Sequence, residues 1–338
     1  MSMRPRVLLP FLLLLSSYLS CVSKTLPVEP DRRADKASLV LMALNAEWLW
    51  DGLPPEEGRV EFGDRRGSPH KSAEHMKAIA AIIAKADADI VLLCEVENLK
   101  ALEMLNDRYL QGKGYRAFLV DGKDTHTGQD VGLLTRLDPI GDRISRDDRK
   151  GRSGATSKGV SKNLIARFES QGSKIAVIGV HFLAEPMNRE RKAEREAQAD
   201  AVRGIARDLW KDGYQVIVMG DLNDFDGAED SLDKRGSRPI TNVLKTIRDL
   251  DPDDSTDDLL NASAHLPQEL RYTCFFDRNK DGEIDADTEF DAIDHILLSR
   301  PLYHRIRDVR IFHDHDPTKV TDHFPIVVKL AWPAAANR

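Results

Sequence analysis

The sequence predicts one α/β domain in which two mixed β-sheets pack against each other between helices. Segments with the pattern of buried strands alternate with segments of helical periodicity, and several strands follow one another directly, unlike in a purely parallel sheet. No repeat and no Pro- or Gly-rich seam divides the chain. Its 338 residues, 41% hydrophobic and 31% charged, suffice for one large core and are typical of a globular protein.

Apolar runs predict the strands, and apolar residues at helical spacing predict the helices. Ser72 is the expected N-cap of the first helix, because its side chain can accept a hydrogen bond from the first turn. The predicted strands lie at residues 37–46, 89–96, 115–120, 131–135, 164–168, 174–182, 215–219, 272–276, 291–298, 308–312 and 325–330. The predicted helices lie at residues 72–86, 98–110, 189–210 and 240–250.

The N-terminus has the layout of a secretory signal. Arg4 and Arg6 precede an apolar run over residues 7–15, which is too short to remain as a membrane-spanning anchor. Cys21 stands where a bacterial lipoprotein is cleaved and acylated, but Tyr18 replaces the usual Leu, so lipid attachment is left open. We therefore expect an extracytoplasmic protein that is secreted, periplasmic or anchored to the envelope through Cys21.

The chain then divides into three predicted segments. A signal peptide, with a lipoprotein signal as one form of it, covers residues 1–21, and a polar linker covers residues 22–36. A single folded domain covers residues 37–333.

The formal net charge of -7 argues against a protein that holds nucleic acid by a broad basic surface. An acidic enzyme can still cut nucleic acid if metal ions and a local basic patch supply positive potential. Cys94 and Cys274 lie in apolar strand-like stretches, so we expect two inert buried thiols and not a disulfide.

Polar side chains recur where the predicted strands end. Each has an ordinary explanation as a turn, a cap or a core histidine, but burying a carboxylate without a partner costs several kcal/mol, so their repetition indicates a shared site. The set comprises Asn45, Glu95, His181, Asp221, Asn223, Asp294, Asp322 and His323.

This set contains the groups that hydrolysis of a phosphate ester requires. Asn45, Glu95 and Asp322 offer hard oxygen ligands, which suit Mg²⁺, Mn²⁺ or Ca²⁺ better than zinc. Asp221 can orient and deprotonate a water molecule. The two histidines can donate hydrogen bonds to phosphate oxygens if an acidic neighbour keeps them charged.

The motifs that carry these residues resemble, in order, the endonuclease/exonuclease/phosphatase superfamily of DNase I-like phosphodiesterases. They read ALNAEWLWD, LLCEVEN, DVGLLTR, VIGVHF, VMGDLND, AIDHILLS and TDHFPIVV and extend over residues 38–332. The first two motifs are most similar to a secreted bacterial nuclease-like branch. The resemblance implies a four-layer α/β sandwich with the active site at one edge of its two sheets.

The resemblance also implies a role for each residue. Asn45 and Glu95 correspond to ligands of a catalytic Mg²⁺ or Mn²⁺, and Asp322 to an acid that can reach a metal. Asp221 corresponds to the residue that activates water, and Asn223 to the one that holds a phosphoryl oxygen. His181 and His323 correspond to the two active-site histidines, with Asp294 orienting His323.

An acidic insertion precedes the strand of Asp294. Its spacing, D-x-N-x-D-G-x-x-D, matches a calcium loop, but Thr288 takes the twelfth position and Glu289 follows one place late. The alternatives are a solvated hairpin tip and a weak structural Ca²⁺ site that rigidifies the loop. The candidate ligands are Asp277, Asn279, Asp281 and Asp285.

Two other features have alternative interpretations. The basic segment over residues 143–162 is either a mobile strip for a polyanionic substrate or an ordinary charged surface loop. Trp48 and Trp50 either stack on a base or pack in the core, and we expect core packing for at least one.

The predicted function is a metal-dependent phosphodiesterase, a monomer, that hydrolyses DNA or RNA by in-line attack of water. The alternative is a sphingomyelinase or phosphoinositide phosphatase on the same scaffold, against which 6% aromatic residues and the lack of an apolar loop count. A third hypothesis is a non-catalytic calcium-binding surface lipoprotein.

Overall fold

The computed structural model describes residues 30–53, 69–228 and 233–332. Five α-helices are present in these ranges: α1 (Pro69–Ala86), α2 (Leu99–Tyr109), α3 (Lys192–Lys211), α4 (Val243–Arg248) and α5 (Arg300–Tyr303). The predicted signal peptide and Cys21 lie outside the described residues.

The first sheet has six strands in the spatial order β15-β16-β1-β2-β4-β3. β1 runs parallel to β2 and antiparallel to β16, so the sheet is mixed as predicted. Its strands are β1 (Ser38–Leu49), β2 (Ile90–Val96), β3 (Arg116–Leu119), β4 (Asp130–Thr135), β15 (Ile306–Ile311) and β16 (Ile326–Ala331).

The second sheet has six strands in the order β11-β14-β10-β9-β8-β5. β9 and β10 are parallel, and β14 is antiparallel to β10. Its strands are β5 (Ile144–Ser145), β8 (Lys162–Ser170), β9 (Ser173–His181), β10 (Gln215–Asp221), β11 (Leu259–Asn261) and β14 (Asp294–Ser299).

Two short hairpins complete the strands. They pair β6 (Gly151–Ser153) with β7 (Thr156–Lys158), and β12 (Cys274–Phe275) with β13 (Phe290–Asp291).

The apolar side chains of the strands face two ways, which produces four layers. In β10, Ile217 and Met219 point into the core between the sheets, whereas Val216 and Val218 pack under α3 and α4. The outer face of the first sheet packs against α1 and α2 in the same way. Because these strands bury apolar side chains on both faces of the sheet, their sequences are continuous apolar runs. The predicted four-layer α/β sandwich is therefore confirmed.

Three local predictions need correction. Helix α1 begins at Pro69, so Ser72 is not its N-cap; the Ser72 hydroxyl instead donates to the Trp50 carbonyl at 2.5 Å. The strand expected over residues 291–298 is two strands, β13 and β14. Residues 31–33, within the predicted linker, contact the domain, because Asp31 bridges to Leu137 and Arg33 is buried.

Cys94 and Cys274 are buried free thiols, as expected. Burial raises the pKa of Cys274 to about 12, so its thiolate is absent near neutral pH. In the ranges that the structure describes, no helix is long and apolar enough to cross a membrane.

Candidate active site

The parallel pairs in the two sheets bring their polar ends to one edge. Asn45 of β1 lies opposite Cys94, next to Glu95, where the register of β1 against β2 shifts, and His181 lies opposite Asp221 at the ends of β9 and β10. Seven of the eight predicted site residues line one cleft of about 390 Å³: Asn45, Glu95, His181, Asp221, Asn223, Asp322 and His323. The eighth, Asp294, lies behind His323, to which it is hydrogen-bonded. The structure therefore brings the whole predicted site together.

Asn45 joins the two sheets at the base of the cleft. Its amide nitrogen donates to Glu95 Oε1 at 3.2 Å and to Asp221 Oδ2 at 3.1 Å. The second Glu95 oxygen accepts the N–H of Trp48 at 3.2 Å. Burial and the negative charge of Asp322 raise the pKa of Glu95, although the hydrogen bond from Asn45 opposes this.

The turn after β10 explains the sequence GDLND. Gly220 has φ +132°, and a Cβ there would lie 2.1 Å from the Val180 carbonyl oxygen, so only glycine fits. Asn223 is left-handed, at φ 48°, and its N–H donates to Asp221 Oδ1 at 2.9 Å. Between them, Leu222 is fully buried in the core beneath α3. The turn thus presents Asp221 and Asn223 to the cleft and sends Leu222 inward.

Asp221 is the most perturbed carboxyl of the cleft. It is buried, and His181 Nε2 and His323 Nε2 lie 3.6 Å and 3.9 Å from its Oδ2. Burial and the charge of Asp294 raise the pKa of Asp221 to about 7. A carboxylate with a pKa near neutrality is suited to accept a proton from water.

The pKa values of the two histidines shift in opposite directions. Burial and the positive charges of Lys162 and His323 lower the pKa of His181 well below its usual value, so His181 is neutral. Burial alone would lower the pKa of His323, but Asp294, whose Oδ2 lies 2.7 Å from His323 Nδ1, raises it well above that value. His181 Nε2 also lies 3.6 Å from Asp221 Oδ2, but only His323 has a hydrogen-bonded carboxylate, Asp294, that raises its pKa.

The oxygen donors fit a divalent cation. Glu95 and Asp322 are two carboxylates that line the cleft. The burial of Glu95 and the negative charge of Asp322 both disfavour the ionised form of Glu95. A bound cation would offset both effects. Asp221, Asp294 and His323 also place ligand atoms within 4.8 Å of one another. Asp294 and His323 are hydrogen-bonded to each other, whereas Asn45, Glu95 and Asp322 line the cleft with further oxygen donors.

The sequence analysis did not identify the residues whose side chains form hydrogen bonds with the backbone of the site residues. Glu47 Oε2 accepts the N–H of Asp322 at 3.1 Å, and the Thr321 hydroxyl donates to the Asn45 carbonyl at 2.8 Å. The Thr273 hydroxyl oxygen lies 3.0 Å from the N–H of Asp294, which donates to it. In the sequence, Glu47 lies two residues after Asn45, and Thr321 directly precedes Asp322. This proximity to predicted site residues could have identified both.

The rim of the cleft carries exposed apolar side chains. Met187 is 51% exposed and Phe276 is 58% exposed, and both line the cleft. These two exposed side chains lie in separate segments and do not form the apolar loop whose absence the sequence indicated. Trp50 is buried, as expected for at least one tryptophan, and Trp48 is partly buried.

The acidic insertion begins beside the cleft, at Phe276 and Arg278. Asp277 Oδ2 accepts the N–H of Gly282 at 3.0 Å, which closes the loop. Glu289 is buried and accepts two backbone N–H groups, so it is not free to serve as the late ligand. The calcium site at Asp277, Asn279, Asp281 and Asp285 stays a prediction.

Within the basic segment over residues 143–162, the stretch around β6 packs against α3, which favours the interpretation as an ordinary charged surface loop. Arg149 pairs with Asp208 of α3 at 2.8 Å, and the N–H of Arg152 donates to Asp200 at 2.9 Å. A Cβ at Gly151 would lie 2.2 Å from the carbonyl oxygen of Ala197, so glycine permits this close approach. Lys158 also pairs with Glu194 of α3, at 3.5 Å.

The sequence profile of the Endonuclease/Exonuclease/phosphatase family matches residues 54–276, which is more than half of the chain. The chain belongs to this family. Like other members, it is a hydrolase of phosphate esters, and the family uses divalent metals. The match ends before Asp294 and His323, so these two residues are placed in the site by the structure alone. No curated protein matches the chain by sequence.

Solved structures of family enzymes share the fold. The 3'-5' exonuclease NExo from Neisseria meningitidis has a TM-score of 0.57 at 16% identity, covering 87% of this chain and 100% of that one. The 3' phosphatase NExo from Neisseria bound to a product DNA hairpin has a TM-score of 0.56 at 16% identity, with the same coverage. Truncated Caenorhabditis elegans TDP2 has a TM-score of 0.52 at 16% identity, covering 87% of this chain and 98% of that one. At these identities the likeness shows the fold alone.

Proposed function

We propose that the protein is a metal-dependent phosphodiesterase of the extracytoplasmic space that hydrolyses DNA or RNA by in-line attack of water. One observation carries the proposal: a buried carboxyl with a pKa of about 7, Asp221, lies 3.9 Å from His323, which is paired with Asp294, in a cleft with an oxygen-rich metal site. A base and a charged donor that face one small space are suited to phosphoryl transfer, because the first can take a proton from water and the second can stabilise negative charge.

Each side chain has a distinct task in this mechanism. Asp221 orients the attacking water and takes its proton as the new phosphorus–oxygen bond forms. The opposite phosphorus–oxygen bond breaks, and its oxygen departs protonated as a hydroxyl group. His323 donates a hydrogen bond to the developing negative charge, and Asp294 keeps it charged and oriented. Asn223 holds a phosphoryl oxygen beside Asp221, and neutral His181 donates one further N–H. A divalent cation on Asn45, Glu95 and Asp322 would polarise a phosphoryl oxygen and neutralise charge.

The proposed location rests on the N-terminal sequence, in which Arg4 and Arg6 precede an apolar run that leads to Cys21. We assign the chain to the secreted nuclease-like branch, as a monomer, with lipid attachment at Cys21 as the alternative to free release. Mass spectrometry of the mature N-terminus decides between these, because acylation adds a lipid mass to a chain that begins at Cys21.

A second candidate substrate is a phospholipid headgroup, either sphingomyelin or a phosphoinositide. The specific observation that favours it is the pair of exposed apolar side chains, Met187 and Phe276, on the rim of the cleft. Such residues can insert into a bilayer surface, although two are few for stable adsorption.

A side-by-side assay tests the proposal. The purified protein is offered plasmid DNA, linear DNA, RNA, sphingomyelin vesicles and phosphoinositide vesicles, each with Mg²⁺, with Mn²⁺ and with EDTA. Cleavage of nucleic acid with metal, and none with EDTA, is expected. Turnover of a lipid with intact nucleic acid would replace the first proposal by the second, and activity that persists in EDTA would contradict both.

A further inference from the structure

The segment directly after His181 forms one wall of the cleft. Residues 184–188 all line it, and Met187 is its exposed tip. The wall is a turn in which the N–H of Asn188 donates to the Glu185 carbonyl at 2.9 Å, with Glu185 in the left-handed region at φ 71°. We call residues 183–188 the cleft wall. Its position determines how much room remains beside the scissile phosphate.

Two buried side chains of α3 support the cleft wall from beneath. Arg195 is fully buried, and its guanidinium donates to the Glu185 carbonyl at 2.6 Å and to the Pro186 carbonyl at 2.5 Å. Gln198, one turn further on, accepts the N–H of Leu183 at 3.2 Å. A single guanidinium thus satisfies two consecutive carbonyls that face away from water.

The same guanidinium reaches the catalytic turn. Arg195 Nε lies 3.4 Å from Asp224 Oδ2, and both side chains are fully buried. Asp224 is three residues after Asp221 and also accepts the Thr241 hydroxyl at 2.5 Å. Because burying an ion pair rarely adds net stability, this pair is better explained by the geometry that it fixes.

We infer that Arg195, held by Asp224, is a positioning residue that sets the distance between the cleft wall and the Asp221 turn and so controls the affinity for a polymeric substrate. This inference rests on the proposed function. A long substrate contacts the wall on either side of the reacting phosphate, whereas a small diester contacts only the reacting groups. Loosening the wall should therefore weaken binding of the polymer and leave the chemical step on a small diester intact.

The test compares three variants in the full chain. Arg195→Lys keeps the charge but cannot reach two carbonyls and Asp224 together. Gln198→Leu removes the contact to Leu183, together with the hydrogen bond that Gln198 donates to the Gly159 carbonyl at 3.4 Å. Arg203→Lys is the matched control, because Arg203 lies on the same helix and pairs with Asp200. Each is assayed on DNA and on bis(4-nitrophenyl) phosphate, and hydrogen exchange is measured for residues 183–188.

For Arg195→Lys, KM for DNA should rise about five-fold, with kcat for the small diester within about two-fold of wild type. Amide exchange in the cleft wall should quicken about ten-fold in both Arg195→Lys and Gln198→Leu, and in neither assay should Arg203→Lys differ from wild type. If Arg195→Lys does not fold, Gln198→Leu gives the same comparison with the buried pair of Arg195 and Asp224 left intact.

Unchanged exchange in the wall would overturn the inference, and so would a parallel loss of kcat on both substrates, which marks a general loss of folded enzyme. If the wild type cleaves neither substrate, the proposed function fails. The wall is then judged by its exchange and by fluorescence polarisation of labelled DNA, where unweakened binding by Arg195→Lys would overturn the inference.

Discussion

His323 Nδ1 lies 2.7 Å from Asp294 Oδ2, and this hydrogen bond joins the two sheets across the cleft. Asp294 begins β14 in the second sheet, and His323 precedes β16 in the first. The charged state of His323 therefore depends on how the two sheets pack. The chemistry of the site is thereby coupled to the tertiary fold.

Replacing Asp294 by asparagine keeps the side-chain volume at position 294 and should favour the neutral form of His323. We expect Asp294→Asn to lower kcat on DNA by about 10²-fold and to lower the pKa of His323, because an amide does not stabilise the imidazolium as a carboxylate does. NMR titration of the imidazole together with steady-state kinetics checks both effects. Asp308→Asn, on β15, is the control; an unchanged His323 pKa in Asp294→Asn would refute the pairing.

Metal binding should depend on Glu95 and not on its neighbour in sequence. Added Mn²⁺ should raise the melting temperature of the wild type, because a ligand that binds only the native state stabilises it. Glu95→Gln should abolish this rise. Glu97→Gln is the matched control, since Glu97 is also buried but accepts the N–H of Asp51 outside the cleft. Equal melting shifts in Glu95→Gln and wild type would place the metal elsewhere.

The ion pair between Asp31 and Arg33 should make the free energy of unfolding decrease at acid pH. Burial alone would raise the pKa of Asp31, but hydrogen bonds and charge from Arg33 lower it to about 2. Since this folded value lies below the unfolded one, the pair stabilises the protein above about pH 4 and loses that contribution as pH falls toward 2.

Asp31→Asn should accordingly lower the free energy of unfolding by about 1 to 2 kcal/mol at pH 7, and the deficit should shrink below pH 4. Urea unfolding at several pH values measures this, with the exposed Glu103→Gln on α2 as control. A deficit that is constant from pH 7 to 2.5 would show that Asp31 acts through packing and not through its charge.

The acidic insertion should bind Ca²⁺ weakly, with Kd of about 10⁻⁴ to 10⁻³ M, if its spacing is that of a calcium loop. Calorimetry is best done in the Glu95→Gln background, so that the cleft contributes no heat. Asp281→Asn should remove the signal, and Asp253→Asn, in a separate acidic loop, should retain it. Equal heats from both variants would leave the insertion as a solvated hairpin tip.

The sequence could predict that the candidate site residues lie close together, because several of them end long apolar runs. Asp221 follows five buried residues of β10, and Glu95 follows five of β2, so strand burial and parallel pairing were sufficient to bring their ends together. The His323 to Asp294 contact was implied only by the resemblance, because it spans two sheets.

Other features could not be read from the sequence. The β6 and β7 strands are short and polar, and they form because Gly151 lets the backbone approach α3, a tertiary effect. Arg195 stands in a charged helix and has the pattern of a solvated residue; its partner Asp224 lies 29 residues away. The α1 start at Pro69 lies in a polar stretch without apolar periodicity.

The most direct test of the account is the kcat of Asp221→Asn on DNA in the presence of Mn²⁺, measured alongside its Mn²⁺-dependent melting shift. We predict a loss of about 10³-fold in kcat, because the amide cannot take a proton from water, with the melting shift retained. A variant that keeps kcat within about three-fold of wild type, and so needs no base at this position, would contradict the central role of Asp221.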